Sequence, residues 1–79
     1  MINAGIQEGD ILVVDRSLEP YHGKVIIAVL NGEFTVKRFH KKGDQVFLYP
    51  ENPEYAPIPI TAETDFRVWG VVTSVIHEF

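Results

Sequence analysis

The sequence predicts an all-β protein, and three observations carry that reading. Short runs rich in Val, Ile, Phe and Tyr are broken by Gly, Pro, Asn and Asp, the texture of strands and turns. No window of helical length repeats its apolar residues with a 3.6-residue period. Asn31-Gly32 stands between two strand-like runs, and this dipeptide favours a two-residue type I′ hairpin because both central residues must take φ > 0.

Taken in order, residues 2–6 allow a short helical turn, and strands are expected over 11–15, 24–30, 33–40, 45–49 and 66–77. The Asn31-Gly32 turn fixes the register of its hairpin: Leu30 faces Glu33, Ala28 faces Thr35 and Ile26 faces Lys37, with Val29 opposite Phe34 and Ile27 opposite Val36 on the other face. The run 25–30 is apolar on both faces, so it is expected to be a central strand covered on both sides. Lys37 then points into a partly apolar neighbourhood of Ile26, Thr35 and Phe39. Four prolines within 50–59 confine that stretch to a loop or an edge, since proline cannot donate to a ladder. Gly70, near the middle of the last strand, signals a bulge or a close backbone approach.

The chain has 79 residues, room for one domain spanning 1–79 near the lower limit for independent folding. It has no cysteine, so no disulfide or thiolate metal site can staple it, which fits a reducing cytoplasm. Seven basic against eleven acidic side chains give a net charge of −4. The one basic cluster is Lys37, Arg38, His40, Lys41 and Lys42, so direct nucleic-acid binding by this segment is disfavoured. No apolar run approaches the roughly 20 residues needed to span a bilayer, and residues 1–10 have neither the basic nor the apolar region of a signal peptide.

Lys37 is the first candidate for chemistry. A lysine on a strand is ordinarily a solvated cation whose stem lies along the sheet; covered by apolar neighbours, its amine can instead act neutral, as a general base. Ser17 and Ser74 are the only serines. Ser17 reads as a solvated turn serine after Asp15-Arg16 and Ser74 as a small packing residue, and neither stands in a nucleophile motif. His22, His40 and His77 match no zinc spacing. Glu8, Asp10 and Asp15 lack the order of a calcium loop and read as turn and surface carboxylates. No phosphate-binding glycine loop is present, and no cofactor or metal is expected.

The order of motifs is more specific than any one of them. Met1-Ile2-Asn3-Ala4-Gly5-Ile6 followed by Glu8-Gly9-Asp10-Ile11-Leu12-Val13-Val14-Asp15 resembles the block after the nucleophilic serine in UmuD-type proteins. His22-Gly23, Val25-Ile26-Ile27-Ala28 and Gly32-Glu33-Phe34-Thr35-Val36-Lys37-Arg38 continue the likeness. Leu48-Tyr49-Pro50-Glu51-Asn52, Tyr55-Ala56-Pro57-Ile58 and Val68-Trp69-Gly70-Val71-Val72 look like later parts of LexA and UmuD. The sequence therefore resembles the C-terminal domain of the LexA/UmuD-type self-cleaving SOS-response proteins, over essentially its whole length.

That resemblance implies an all-β fold of strongly bent antiparallel sheets forming a small, partly open barrel. It implies a Ser–Lys dyad that cuts the protein's own chain, with Lys37 as general base and the nucleophilic serine immediately before Met1. The chain as it stands is then a domain truncated just after that serine and is expected to be inactive as a peptidase. The partners implied are a second copy of the chain, the RecA–single-stranded-DNA filament and, on a UmuD-like reading, a Y-family polymerase in translesion synthesis. Met-Ile-Asn-Ala-Gly favours UmuD, whereas Val-Lys-Arg and Pro-Glu-Asn favour LexA; the reading leans to UmuD, with the dimerisation and self-cleavage domain of a LexA-like or phage-type repressor as the alternative. A non-enzymatic β-barrel interaction module is the family-blind alternative. Type I signal peptidases share the chemistry but need a membrane anchor. The apolar residues Phe66, Val68, Trp69, Val71, Val72, Val75, Ile76 and Phe79 mark the last strand as the expected dimer contact.

Overall fold

A computed structural model describes residues 6–52 and 54–77. Among them are six strands: β1 (Ile11–Asp15), β2 (Val25–Leu30), β3 (Glu33–Lys42), β4 (Gln45–Tyr49), β5 (Ile58–Ile60) and β6 (Phe66–Ile76). They form one antiparallel sheet in the order β1-β6-β2-β3-β4-β5, which does not close: β1 and β5 are its two edges. No helix among the described residues is long and apolar enough to cross a membrane. Of the turn expected over 2–6, all but Ile6 lies outside the described residues.

The hairpin at Asn31-Gly32 forms as its chemistry demands. Asn31 has φ 51° and Gly32 φ 82°, and all five expected pairs from Leu30–Glu33 to Ile26–Lys37 are present. β2 is central, between β3 and β6, but it is not covered on both faces. Ile26 and Ala28 are fully buried, whereas Val25, Ile27 and Val29 on the opposite face are only half-buried. A single open sheet can bury one face against its own curvature and loops; a second covered face needs another layer.

The core lies on the inner face, where Ile26, Ala28, Phe39, Leu48 and Val71 meet, with Leu30, Val46, Ile58, Ile60, Phe66 and Val68 packed around them. Each large side chain so buried contributes about 1.5–3 kcal/mol. Pro59 sits in the edge strand β5 opposite Phe47, where a missing donor costs no ladder bond in the interior.

Two bulges bend β6. Ile27 faces Gly70 while Ala28 faces Val68, leaving Trp69 as the extra residue; Val13 faces Ser74 while Val14 faces Val72, leaving Thr73 unpaired. Gly70 meets both expectations: it adjoins the first bulge, and a Cβ there would collide with Val14 Cγ1. The last strand is less open than its composition suggests. β1 and β2 flank it, Val71 is buried, and Phe66 and Val68 pack on the core. What stays exposed is a smaller apolar patch of Ile76 with Ile11 and Val13 of the edge strand β1; Phe79 lies outside the described residues.

Candidate active site

β3 changes neighbours along its length. Residues Glu33 to Arg38 pair with β2, while only Arg38 to Lys42 pair with β4. In an antiparallel strand successive residues direct their N–H and C=O groups to opposite sides. The two-residue turn makes Leu30–Glu33 a bonded pair, so Glu33, Thr35 and Lys37 bond toward β2. Phe39 follows the same side: its N–H donates to Lys24 O at 2.7 Å and its carbonyl accepts from Gly23 N at 2.8 Å. The backbone groups of Phe34 and Val36 therefore face the side where β4 has already ended. That uncovered edge is one wall of a cleft of about 600 Å³, whose lining includes Ile27, Phe34, Val36, Lys37, Pro50, Glu51, Asn52 and Tyr55.

Lys37 sits at this edge, part-buried. The fully buried Ile26 is its cross-strand neighbour, and Phe39, 6% exposed, is the next residue on the same face. Its Nζ donates to Thr35 Oγ1 at 2.7 Å and to Val36 O at 3.3 Å. The threonine is two residues back on the same face, the strand spacing that lets a hydroxyl fix an amine. An amine so held beside a cleft can, in its neutral form, take a proton from a hydroxyl placed within hydrogen-bond reach.

Neither serine of the chain is at that position. The Ser17 hydroxyl donates to Asp15 Oδ1 at 2.6 Å, and its N–H donates to the same oxygen at 2.8 Å, in an exposed turn. These bonds hold the Asp15 carboxyl below its usual range. Ser74 is on β6 opposite Val13, facing a second cavity that includes Ile6, Val25 and Arg38. No serine lines the Lys37 cleft among the described residues.

The remaining candidates do structural work. Asp10 accepts the Gln7 N–H at 2.7 Å, which lowers its pKa, and pairs with His77 Nδ1 at 2.8 Å. Glu8 is exposed in the same turn. Two of the three histidines come together: the His22 and His40 rings lie 4.8 Å apart edge to face, His40 stacks on Tyr49 at 3.9 Å, and His22 Nδ1 accepts the Lys41 N–H at 3.1 Å. Burial, with His22 and Arg38 nearby, pushes the His40 pKa down. Among the described residues no three metal-ligating side chains converge.

The sequence alone did not signal the role of Thr35 as the partner of the Lys37 amine or the cleft wall formed by Pro50, Glu51, Asn52 and Tyr55. The wall arises because β4 ends at Tyr49 and the proline-rich segment peels away from β3, which only the pairing reveals. Arg38 reaches across this junction, donating from Nε to Glu51 and from Nη1 to Gly23 O at 2.7 Å.

Comparison with known proteins identifies the family of the chain. The family model described as Peptidase S24-like matches residues 1–73. The LexA repressor of Syntrophotalea carbinolica is 42% identical over 79 residues, covering 100% of this chain and 39% of the relative. LexA repressor 1 of Xanthomonas campestris pv. campestris is 40% identical over 78 residues, 99% of this chain and 39% of the relative. The LexA repressor of Ralstonia nicotianae is 43% identical over 78 residues, 98% of this chain and 36% of the relative. The chain thus spans about two-fifths of the length of these curated relatives. Their names favour the repressor alternative over the UmuD reading and give the translesion role no support. With its family model matched over nearly the whole chain and relatives at this identity, the chain belongs to the Peptidase S24-like family.

Proposed function

We propose that this chain is the C-terminal dimerisation and self-cleavage domain of a LexA-like repressor of the SOS response. The observation that carries the reading is Lys37, its amine fixed by Thr35 Oγ1 beside a cleft with an uncovered strand edge. In the proposed reaction the hydroxyl of the serine that the family resemblance puts immediately before Met1 gives its proton to neutral Lys37 Nζ. The serine oxygen bonds to the scissile carbonyl carbon. Collapse of the tetrahedral intermediate breaks the C–N bond, and the proton on Nζ passes to the leaving amine. Water then hydrolyses the acyl-enzyme.

The scissile segment belongs in the cleft, extended, where the N–H and C=O groups of Phe34 and the N–H of Val36 face the uncovered edge and can pair with it, while the Val36 carbonyl accepts from Lys37 Nζ. The RecA–single-stranded-DNA filament is the proposed stimulus and a second copy of the chain the proposed partner. The exposed patch of Ile11, Val13 and Ile76 supports self-association, because a two-fold contact buries it on both copies. In the full-length protein, Lys37→Ala is expected to slow self-cleavage by about 10²–10⁴-fold with the circular dichroism spectrum unchanged; cleavage at the native rate would refute the assignment. Ile76→Asp is expected to shift sedimentation at micromolar concentration from dimer to monomer. A wild-type monomer would refute the contact.

A further inference from the structure

We infer that Arg38 and Glu51 are positioning residues that set the opening of the cleft beside Lys37, an inference that rests on the self-cleavage reading. Tyr49 is the last β4 residue paired with β3, opposite Arg38. Beyond it the chain turns away through Pro50, which has no N–H to extend the ladder. The wall that follows is bonded mainly to itself. Tyr55 N donates to Asn52 O at 3.1 Å and Glu54 N to Asn52 Oδ1 at 3.0 Å. Among the described residues, the one side-chain hydrogen bond from this wall to the sheet is Arg38 Nε to Glu51.

The pair has the attributes of a fixed tie. The side chains of Arg38 and Glu51 are 30% and 15% exposed, and the other arm of the guanidinium is held by Gly23 O at 2.7 Å. A planar guanidinium bonded on two sides has little freedom to follow a moving loop. Arg38 adjoins Lys37 and points to the opposite face of the strand. Its partner Glu51 lines the cleft, whereas Arg38 itself does not. Its position makes it the hinge pin of the sheet, at the residue where β3 exchanges β2 for β4. Releasing Glu51 lets the wall drift from Phe34 and Val36, so an extended segment is gripped on one side only.

The test uses the full-length protein and a peptide spanning its scissile segment, cleaved in trans. Glu51→Ala is expected to raise KM about tenfold and leave kcat within about twofold. Arg38→Ala is expected to do the same, and the double variant no more, because one interaction is lost once. In parallel, amide exchange at Tyr49 in the 79-residue chain is expected to accelerate in Glu51→Ala. If Glu51→Ala fails to fold, Glu51→Gln is read in the same way. An unchanged KM together with unchanged Tyr49 exchange overturns the inference, as does a double variant in which the two losses add. Lys37→Ala is the control: cleavage that survives it sinks the peptidase reading, while the exchange measurement still judges the tie.

Discussion

The two halves of β3 are one continuous strand with opposite fates. From Phe39 onward the side left by β2 is covered by the segment before it: Gly23 and Lys24 bond to the Phe39 backbone, and His22 Nδ1 accepts the Lys41 N–H. From Phe34 to Val36 the side not yet reached by β4 is covered by no strand among the described residues and faces the cleft. Their phenylalanines also differ, because alternation puts them on opposite faces of the sheet: Phe39 is 6% exposed on the core face and Phe34 66% on the outer face. An uncovered edge is ordinarily an aggregation liability. Here it is short, walled by Pro50, Glu51, Asn52 and Tyr55, and carries Lys37, which is why we read it as a peptide-binding edge and the other half as structure.

The sharpest way to break the comparison is to truncate the two rings. Phe39→Ala is expected to cost about 3–5 kcal/mol of unfolding free energy. Phe34→Ala loses little beyond its edge-to-face contact with Trp69 (ring centroids 6.1 Å apart), about 0.5–1.5 kcal/mol. Urea titrations compare them, and equal losses would mean that Phe34 is covered in solution.

Proline tests the backbone in the same way. Thr35→Pro removes a ladder bond to β2 and is expected to lower the urea midpoint clearly. Val36→Pro removes an N–H that faces the free edge, so its cost is expected to be smaller, although it should still impair self-cleavage. A Val36→Pro variant as unstable as Thr35→Pro would show that this edge is paired.

A smaller effect concerns the covered half. His40 is held below the ordinary imidazole pKa of 6.5, first by burial and then by His22 and Arg38; Lys42 acts in the same direction and Glu51 against it. A depressed folded-state value means that the unfolded chain binds the proton first. The contribution of His40 is therefore full above about pH 6.5 and lost as pH falls through the folded value. The urea midpoint is expected to drop in this window, and less so in His40→Phe. The smallest expected effect is at the N-terminal turn, where Asp10 is lowered mainly by the Gln7 N–H and also by His77. That turn should loosen only below about pH 4, as the carboxylate is protonated, and Asp10→Asn should remove the dependence from amide exchange at Gln7.

The register of the first hairpin was legible in the sequence because a two-residue turn with φ > 0 at Asn31 and Gly32 admits a single pairing, and alternation then puts Ile26, Thr35, Lys37 and Phe39 on one face. The placement of Pro59 at an edge and the glycine at a bulge followed from donors and steric room, which are also local. The strand order β1-β6-β2-β3-β4-β5 was not legible, because which strand lies beside β6 depends on long-range burial. Without it the last strand reads as open, whereas β1 and β2 flank it. Nor could the sequence show that β4 reaches β3 only from Arg38 onward, that Arg38 spans to Glu51, or that Thr35 holds the Lys37 amine. Local chemistry set the turns, the register and the face of each side chain. Only the assembled sheet decided which edge was left uncovered, because an edge is defined by the neighbour that is missing.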